Sequence, residues 1–299
     1  MGIEVIDRLA RPEAFCPQLA PAKRPLLLSG GAHGCYTLPF VINRRDFALA
    51  ASAFALGGGG AGAQDKPSSQ YIELRWYMLR NGHADQFQRT SDYVQAIEPI
   101  LRDAGAKATG AFASVIGPET PFLITLTAWA DIAALEAGAR RVQVDKTADA
   151  ALRAMHGGQG APFERCETWL LRAFEGFPTV QPAADPKRGR IFELRRYESD
   201  DFVTLARKVD MFNNGESAIF QRLGMAPVFF GHMLYGPKMP NLVYMLSFDD
   251  LAERDRLWRA FGSDAEWKKL SSKPELQDSE VVSNISNWII RPLLFSAIR

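Results

Sequence analysis

The sequence predicts an α+β protein made of two tandem ferredoxin-like (βαββαβ) domains packed as a pseudo-dimeric α/β barrel. Three observations carry this expectation. Tyr71-Ile72-Glu73-Leu74-Arg75-Trp76-Tyr77 returns 120 residues later as Ile191-Phe192-Glu193-Leu194-Arg195-Arg196-Tyr197. The offset then holds at 119: Gly117-Pro118 recurs as Gly236-Pro237, Trp129-Ala130-Asp131 as Phe248-Asp249-Asp250, and Trp169-Leu170-Leu171-Arg172 as Trp288-Ile289-Ile290-Arg291. Turns that match turns at a near-constant offset mark two copies of one unit. Within each copy, period-two and helical stretches alternate as strand, helix, strand, strand, helix, strand.

In the first copy, residues 71–79 place Tyr, Glu, Arg and Tyr on one side and Ile, Leu, Trp and Met on the other, the pattern of a strand with one apolar face. Asn81-Gly82 breaks it. Phe87, Val94, Ile97 and Leu101 share a helical face that ends near Gly105, with a kink expected at Pro99. Residues 111–116 and 122–129 read as hairpin strands joined through Gly117-Pro118-Glu119-Thr120-Pro121. Asp131 is the expected N-cap of one helix running toward Met155, and residues 166–174 supply the fourth strand.

The second copy repeats this order. Strand 190–197 leads to a helix carrying Phe202, Leu205, Val209 and Ile219, bent at Asn213-Asn214-Gly215. Hairpin strands 227–235 and 241–248 turn through Gly236–Pro240, Asp249 or Asp250 caps the next helix, and the last strand is 282–291. The domains are therefore expected at 71–175 and 190–299, joined by a Pro- and Ala-rich linker at 176–189. A ferredoxin-like unit covers one sheet face with its own helices. The second copy has apolar residues on both strand faces, Phe229 and Met233 against Phe230 and Leu234, so its other face needs cover. A second sheet can supply it.

Residues 1–63 read as a leader. Asn43-Arg44-Arg45-Asp46-Phe47 opens a mild apolar run ending near Leu56, followed by four glycines and Ala61-Gly62-Ala63. This resembles a twin-arginine export signal, cut after Ala63, which would place the mature protein in the periplasm or outside the cell. Val41 is the expected true start. The apolar run is too short to span a bilayer, and the mature chain carries no other candidate span.

The 35 Lys/Arg against 34 Asp/Glu leave no electrostatic footprint for nucleic acid or an acidic membrane surface. Of three cysteines, Cys16 and Cys35 lie in the leader, so Cys166 alone can build neither a disulfide framework nor a cysteine metal site. It reads as a half-buried strand residue. His83, His156 and His232 occupy unrelated settings, which makes no metal site, and no cofactor motif occurs.

The doubled Glu-Leu-Arg-x-Tyr, the hairpin Gly-Pro and the segment Gly262-Ser263-Asp264-Ala265-Glu266-Trp267 together resemble the NIPSNAP family, of the dimeric α/β-barrel superfamily. The first copy departs at Val144–Ala148, where the second has Ser263–Trp267. The resemblance implies the barrel fold and a binding or trafficking role without an established reaction. Relatives of the fold include cofactor-free monooxygenases and haem-handling proteins, whose ligands lie between sheet and helices.

Candidate site residues are the two triplets Glu73, Arg75, Tyr77 and Glu193, Arg195, Tyr197, with His232. Each triplet projects from one strand face. If Ile72, Leu74 and Trp76 face the helices, the triplets face the sheet-to-sheet interior. There Glu and Arg would pair, since an unpaired buried charge is costly. The triplets are then either structural networks fixing sheet register or a patch gripping an anionic or hydroxylated ligand. His232 has Ala113 as its counterpart, the asymmetry a pocket in the second repeat would produce. The functional expectation is an exported module binding a small molecule or a protein. The alternative is a barrel enzyme, monooxygenase-like or haem-handling, with its pocket in repeat 2. A monomer holding both halves, or a homo-oligomer of it, fits either reading.

Overall fold

The computed structural model describes residues 67–182 and 190–299. The leader, including Arg44 and Arg45, lies outside the described residues, as does the second half of the linker. Eight strands close into a barrel: β1 (Tyr71–Met78), β2 (Ala108–Ile116), β3 (Phe122–Trp129), β4 (Arg165–Ala173), β5 (Ile191–Glu198), β6 (Ala226–Tyr235), β7 (Asn241–Phe248) and β8 (Asn284–Pro292). Round the barrel they run β1-β3-β2-β8-β5-β7-β6-β4, and antiparallel β1–β4 pairing completes the ring. The two repeats join at two seams, β2 with β8 and β4 with β6. Closure leaves neither half with an unpaired sheet edge.

In the first repeat, α1 (Ala84–Asp103) runs unbroken through Pro99. It is followed outside the sheet by α2 (Ile132–Val144) and α3 (Lys146–His156). The single helix expected from Asp131 to Met155 is thus two. Asp131 caps α2, and the Asp145 carboxylate accepts the backbone N–H groups of Thr147 and Ala148 and starts α3. The second repeat breaks at the equivalent place. There α4 (Phe202–Met211) and α5 (Ser217–Arg222) flank a wide π-type turn at Phe212–Glu216, and α6 (Leu251–Ser263) gives way to α7 (Ala265–Ser271) at Asp264.

The barrel interior is mostly apolar, with Arg196 also buried there, and takes side chains from every strand. Ile72, Leu74 and Trp76 meet Phe112, Ile124, Trp169, Phe192, Leu194, Phe229, Val243, Met245, Trp288 and Ile290 there. Trp76, Trp169 and Trp288 cluster with ring centroids 4.7–5.8 Å apart, and Arg196, which stands where the first repeat has Trp76, lies 5.2 Å over Trp169. The expected facing is therefore reversed. The apolar row of β1 fills the barrel, and the Glu-Arg-Tyr row faces the helices. The interior of an eight-stranded barrel can be filled by side chains, and the row Ile72, Leu74 and Trp76 does so here without burying charge.

Candidate functional site

Each triplet lies beneath its own repeat's helices, and the two surroundings differ. In the second repeat Glu193 is wholly buried and accepts four hydrogen bonds. These come from Arg195 Nη1 at 2.9 Å, Arg254 Nε at 3.0 Å, Arg254 Nη2 at 2.6 Å and the Trp258 indole N–H at 2.7 Å. Arg195 also donates to Tyr197 Oη at 3.1 Å and packs over the Trp258 ring at 4.5 Å. Tyr244 donates to Tyr197 at 2.8 Å. Burial works against the Arg195 charge, but Tyr244, Tyr197 and Glu193 outweigh it and hold the group protonated. The space around the network is filled by Phe220, Phe230, Tyr244 and Trp258, with ring centroids 5.7–6.1 Å apart.

Of the two triplets, the first-repeat one borders a cavity, whereas the enzyme alternative placed its pocket in repeat 2. Glu73, Arg75 and Tyr77 border a cavity of about 310 Å³ between the outer sheet face and helices α1 and α2. Arg75 bonds Glu73 as Arg195 bonds Glu193. The Arg75 side chain nevertheless keeps 38% of its surface exposed, because it borders open space. Tyr93, Glu98, Thr109, Thr125, Thr127 and Gln143 add polar groups to the wall, and Val94, Ile97, Leu101 and Trp129 add apolar ones. Glu98 accepts the Thr109 hydroxyl at 2.8 Å. Burial pushes the Tyr77 phenol well above its usual range, so at neutral pH it is a hydrogen-bond donor and not a base.

The strand registers explain the difference. Arg75 faces Thr125 across β1–β3, and Arg195 faces Tyr244 across β5–β7. Ala111 faces Thr125, and Phe230 faces Tyr244. Helices α2 and α6 both have 13 residues behind an aspartate cap, so Ala139 stands where Trp258 stands and Leu135 where Arg254 stands. At three of the four positions a large side chain of the second repeat is a small one in the first, and at the fourth an arginine is a leucine. All four first-repeat positions, Ala111, Thr125, Leu135 and Ala139, line the cavity. Gly138 holds α2 against this wall, since a Cβ there would sit 2.1 Å from the Trp129 ring.

His232 does not join either triplet. It lies on β6 at the seam with β4, opposite Arg172 in register and stacked 6.5 Å from Phe174. Burial, and then the Arg172 charge, lower its pKa and keep it neutral. His83 precedes α1 and His156 ends α3. Cys166, expected to be half-buried, is an exposed free thiol on β4. Among the described residues no group of His, Cys, Asp and Glu is placed to hold a metal ion, and no helix is long and apolar enough to cross a membrane. A wider depression of about 750 Å³ follows the β2–β8 seam, under Arg190, Arg291 and Arg299.

Closed barrel, two-fold repeated helices and a site beneath one helix layer define a single-chain member of the dimeric α/β-barrel class. The chain belongs to the NIPSNAP family, whose sequence pattern matches residues 72–159 and 192–297. Solved structures similar to it include a candidate monooxygenase from Fusobacterium nucleatum, with a TM-score of 0.51 and 6% identity over 76% of this chain and 93% of that one. Another candidate monooxygenase, from Lactobacillus acidophilus, gives 0.50 and 9% over 75% and 94%. A NIPSNAP family protein from Agrobacterium tumefaciens is 18% identical over 40% of this chain and 98% of its own, with a TM-score of 0.35. The two monooxygenase likenesses show the fold alone. No curated protein matches the sequence.

Proposed function

We propose that this chain is a small-molecule-binding protein whose site is the first-repeat cavity, with the second repeat serving as its structural counterweight. One observation carries the reading. The same Glu-Arg-Tyr row is packed solid with aromatic side chains in one half and opens on a cavity of about 310 Å³ in the other. A partly enclosed apolar hollow with a few convergent polar groups is the usual form of a ligand site. A haem-handling role would have His232 as the natural axial ligand, and His232 lies outside the cavity wall. Binding is therefore preferred over haem handling.

The test is a thermal-shift screen of a chemically diverse small-molecule collection against the wild type and Ala139→Trp. That variant places the second repeat's own residue in the cavity. Compounds that raise the wild-type melting temperature and leave Ala139→Trp unmoved support the site. Hits that shift both proteins equally, or no hits at all, overturn it. Export by the twin-arginine route is part of the same proposal, supported by Arg44-Arg45 and the Ala61-Gly62-Ala63 site. It is checked by N-terminal mass spectrometry on native material, where a first residue other than Gln64 in a cytoplasmic fraction argues against it.

A further inference from the structure

The second repeat carries an internal pattern for the ligand that the first repeat takes. Resting on the site reading above, we infer that the cavity binds a positively charged aromatic nitrogen compound, an aryl amidine, guanidine or amine. Its N–H groups meet Glu73 and its ring lies against Arg75.

Glu193 and Glu73 occupy equivalent positions on β5 and β1, each bonded to the arginine two residues on. Glu193 also takes two donors from the planar Arg254 guanidinium and one from the Trp258 indole. Leu135 and Ala139 in the first repeat supply none of these, so Glu73 receives Arg75 alone among the described residues. The site therefore keeps unused acceptor capacity of the type that a planar, forked N–H donor satisfies. In the second repeat the Trp258 ring also fills the space under the Arg195 guanidinium, at 4.5 Å. Arg75 has no such ring, and an aryl group of the ligand would restore the stacking.

The charge of the wall admits such a ligand. Two carboxylates, Glu73 and Glu98, border the cavity against the single cation Arg75. Arg102 approaches Glu98 at 3.6 Å from its half-exposed position on the outer turn of α1. With Arg102 counted, the charges at the cavity are even, so the preference for a cation rests on the open acceptor of Glu73 and not on net charge. The second repeat shows that one carboxylate in this setting tolerates two guanidinium groups, those of Arg195 and Arg254. The volume stands at the lower end of small-molecule sites, roughly 300–1,000 Å³, which suits a compound of one or two rings.

Isothermal titration of the full chain with benzamidine, and with its anionic isostere benzoate, tests the assignment. Benzamidine should bind at one site per chain and benzoate should not. Glu73→Gln should weaken benzamidine by about tenfold or more, the loss of a charge-assisted bond, and Ala139→Trp should abolish it. Circular dichroism confirms that both variants are folded. If Glu73→Gln fails to fold, Gln143→Glu is the substitute, since a third carboxylate on the wall should tighten benzamidine. Equal binding of both probes, binding of benzoate alone, or benzamidine affinity unaltered by the variants overturns the ligand class. If neither probe binds but the screen returns other compounds that Ala139→Trp excludes, the cationic assignment falls and the site stands. No compound from either experiment removes both.

Discussion

Replacing the same glutamate in the two repeats should have unequal consequences for stability. Glu193→Gln removes the negative charge and one of the two acceptor oxygens, which between them take four hydrogen bonds, and sets an amide N–H2 against donors of Arg195, Arg254 or Trp258. Arg195, with a side chain 11% exposed, is left as a buried cation without its counter-charge. Breaking a buried ion pair from one side costs about 3–5 kcal/mol. For a chain of this size each kcal/mol moves the melting temperature by about 2–4 °C, so Glu193→Gln should lower it by roughly 6–20 °C. Glu73→Gln leaves Arg75 bordering open space, where water can take over as partner. Solvent screening then holds the loss to about 1 kcal/mol or less, a shift of at most about 4 °C. Thermal denaturation followed by circular dichroism compares the two variants directly. Equal losses, or a Glu193→Gln loss below about 1 kcal/mol, would refute the claim that one half is a packed network and the other an open site.

Other variants probe the same asymmetry. Lys208 and Glu216 form a buried pair at 3.1 Å beneath the second-repeat helices, so Lys208→Met should destabilise by about 3–5 kcal/mol and the double variant Lys208→Met/Glu216→Gln by clearly less, as chemical denaturation will show. Gly138→Ala should cost about 1–3 kcal/mol by overpacking against Trp129, although alanine is ordinarily the better helix residue; a stabilised variant would contradict the close approach of α2. Burial raises the pKa of Tyr197 and Tyr244 above the ordinary value of 10.0. The folded chain thus holds protons that the unfolded chain releases, so this contribution is complete below about pH 10 and falls as pH rises beyond it. Melting temperature measured from pH 8 to 11 should decline at the alkaline end, and less steeply in Tyr244→Phe.

Much of the architecture was legible in the sequence because it is written in periods and turns. The alternation at 71–78, the matched Gly-Pro hairpins and the constant offset locate strands and pair the repeats without tertiary information. Which face of β1 points inward was not legible, since Ile72, Leu74 and Trp76 suit either a barrel lumen or a helix interface. On the matching strand β5 the deciding partners of Glu193, Arg254 and Trp258, sit about 60 residues away on α6. The break at Asp145 was hidden because continuous helical periodicity runs across it, and only the side-chain caps on Thr147 and Ala148 reveal it. The cavity did leave a signal. At the offset already in hand, Ala111, Thr125 and Ala139 align with Phe230, Tyr244 and Trp258, a paired loss of bulk on one sheet face and the helix above it. Reading the repeats for what they share, and not for where they differ in size, passes over it.

Joining both halves in one polypeptide has a consequence for how such a barrel can change. In a barrel made by two copies of the same gene product, each substitution appears twice, so a hollow opened on one side is opened on the other and the stability loss doubles. Here the seams β2–β8 and β4–β6 are intramolecular. Their closure does not depend on protein concentration, and each half mutates alone. The aromatic half can act as a keel of fixed composition while the hollow half drifts, so specificity can turn over without carrying the barrel below its folding threshold. Variation among close relatives should accordingly concentrate on the α1 and α2 faces over the first repeat, with the α4–α6 faces held nearly constant.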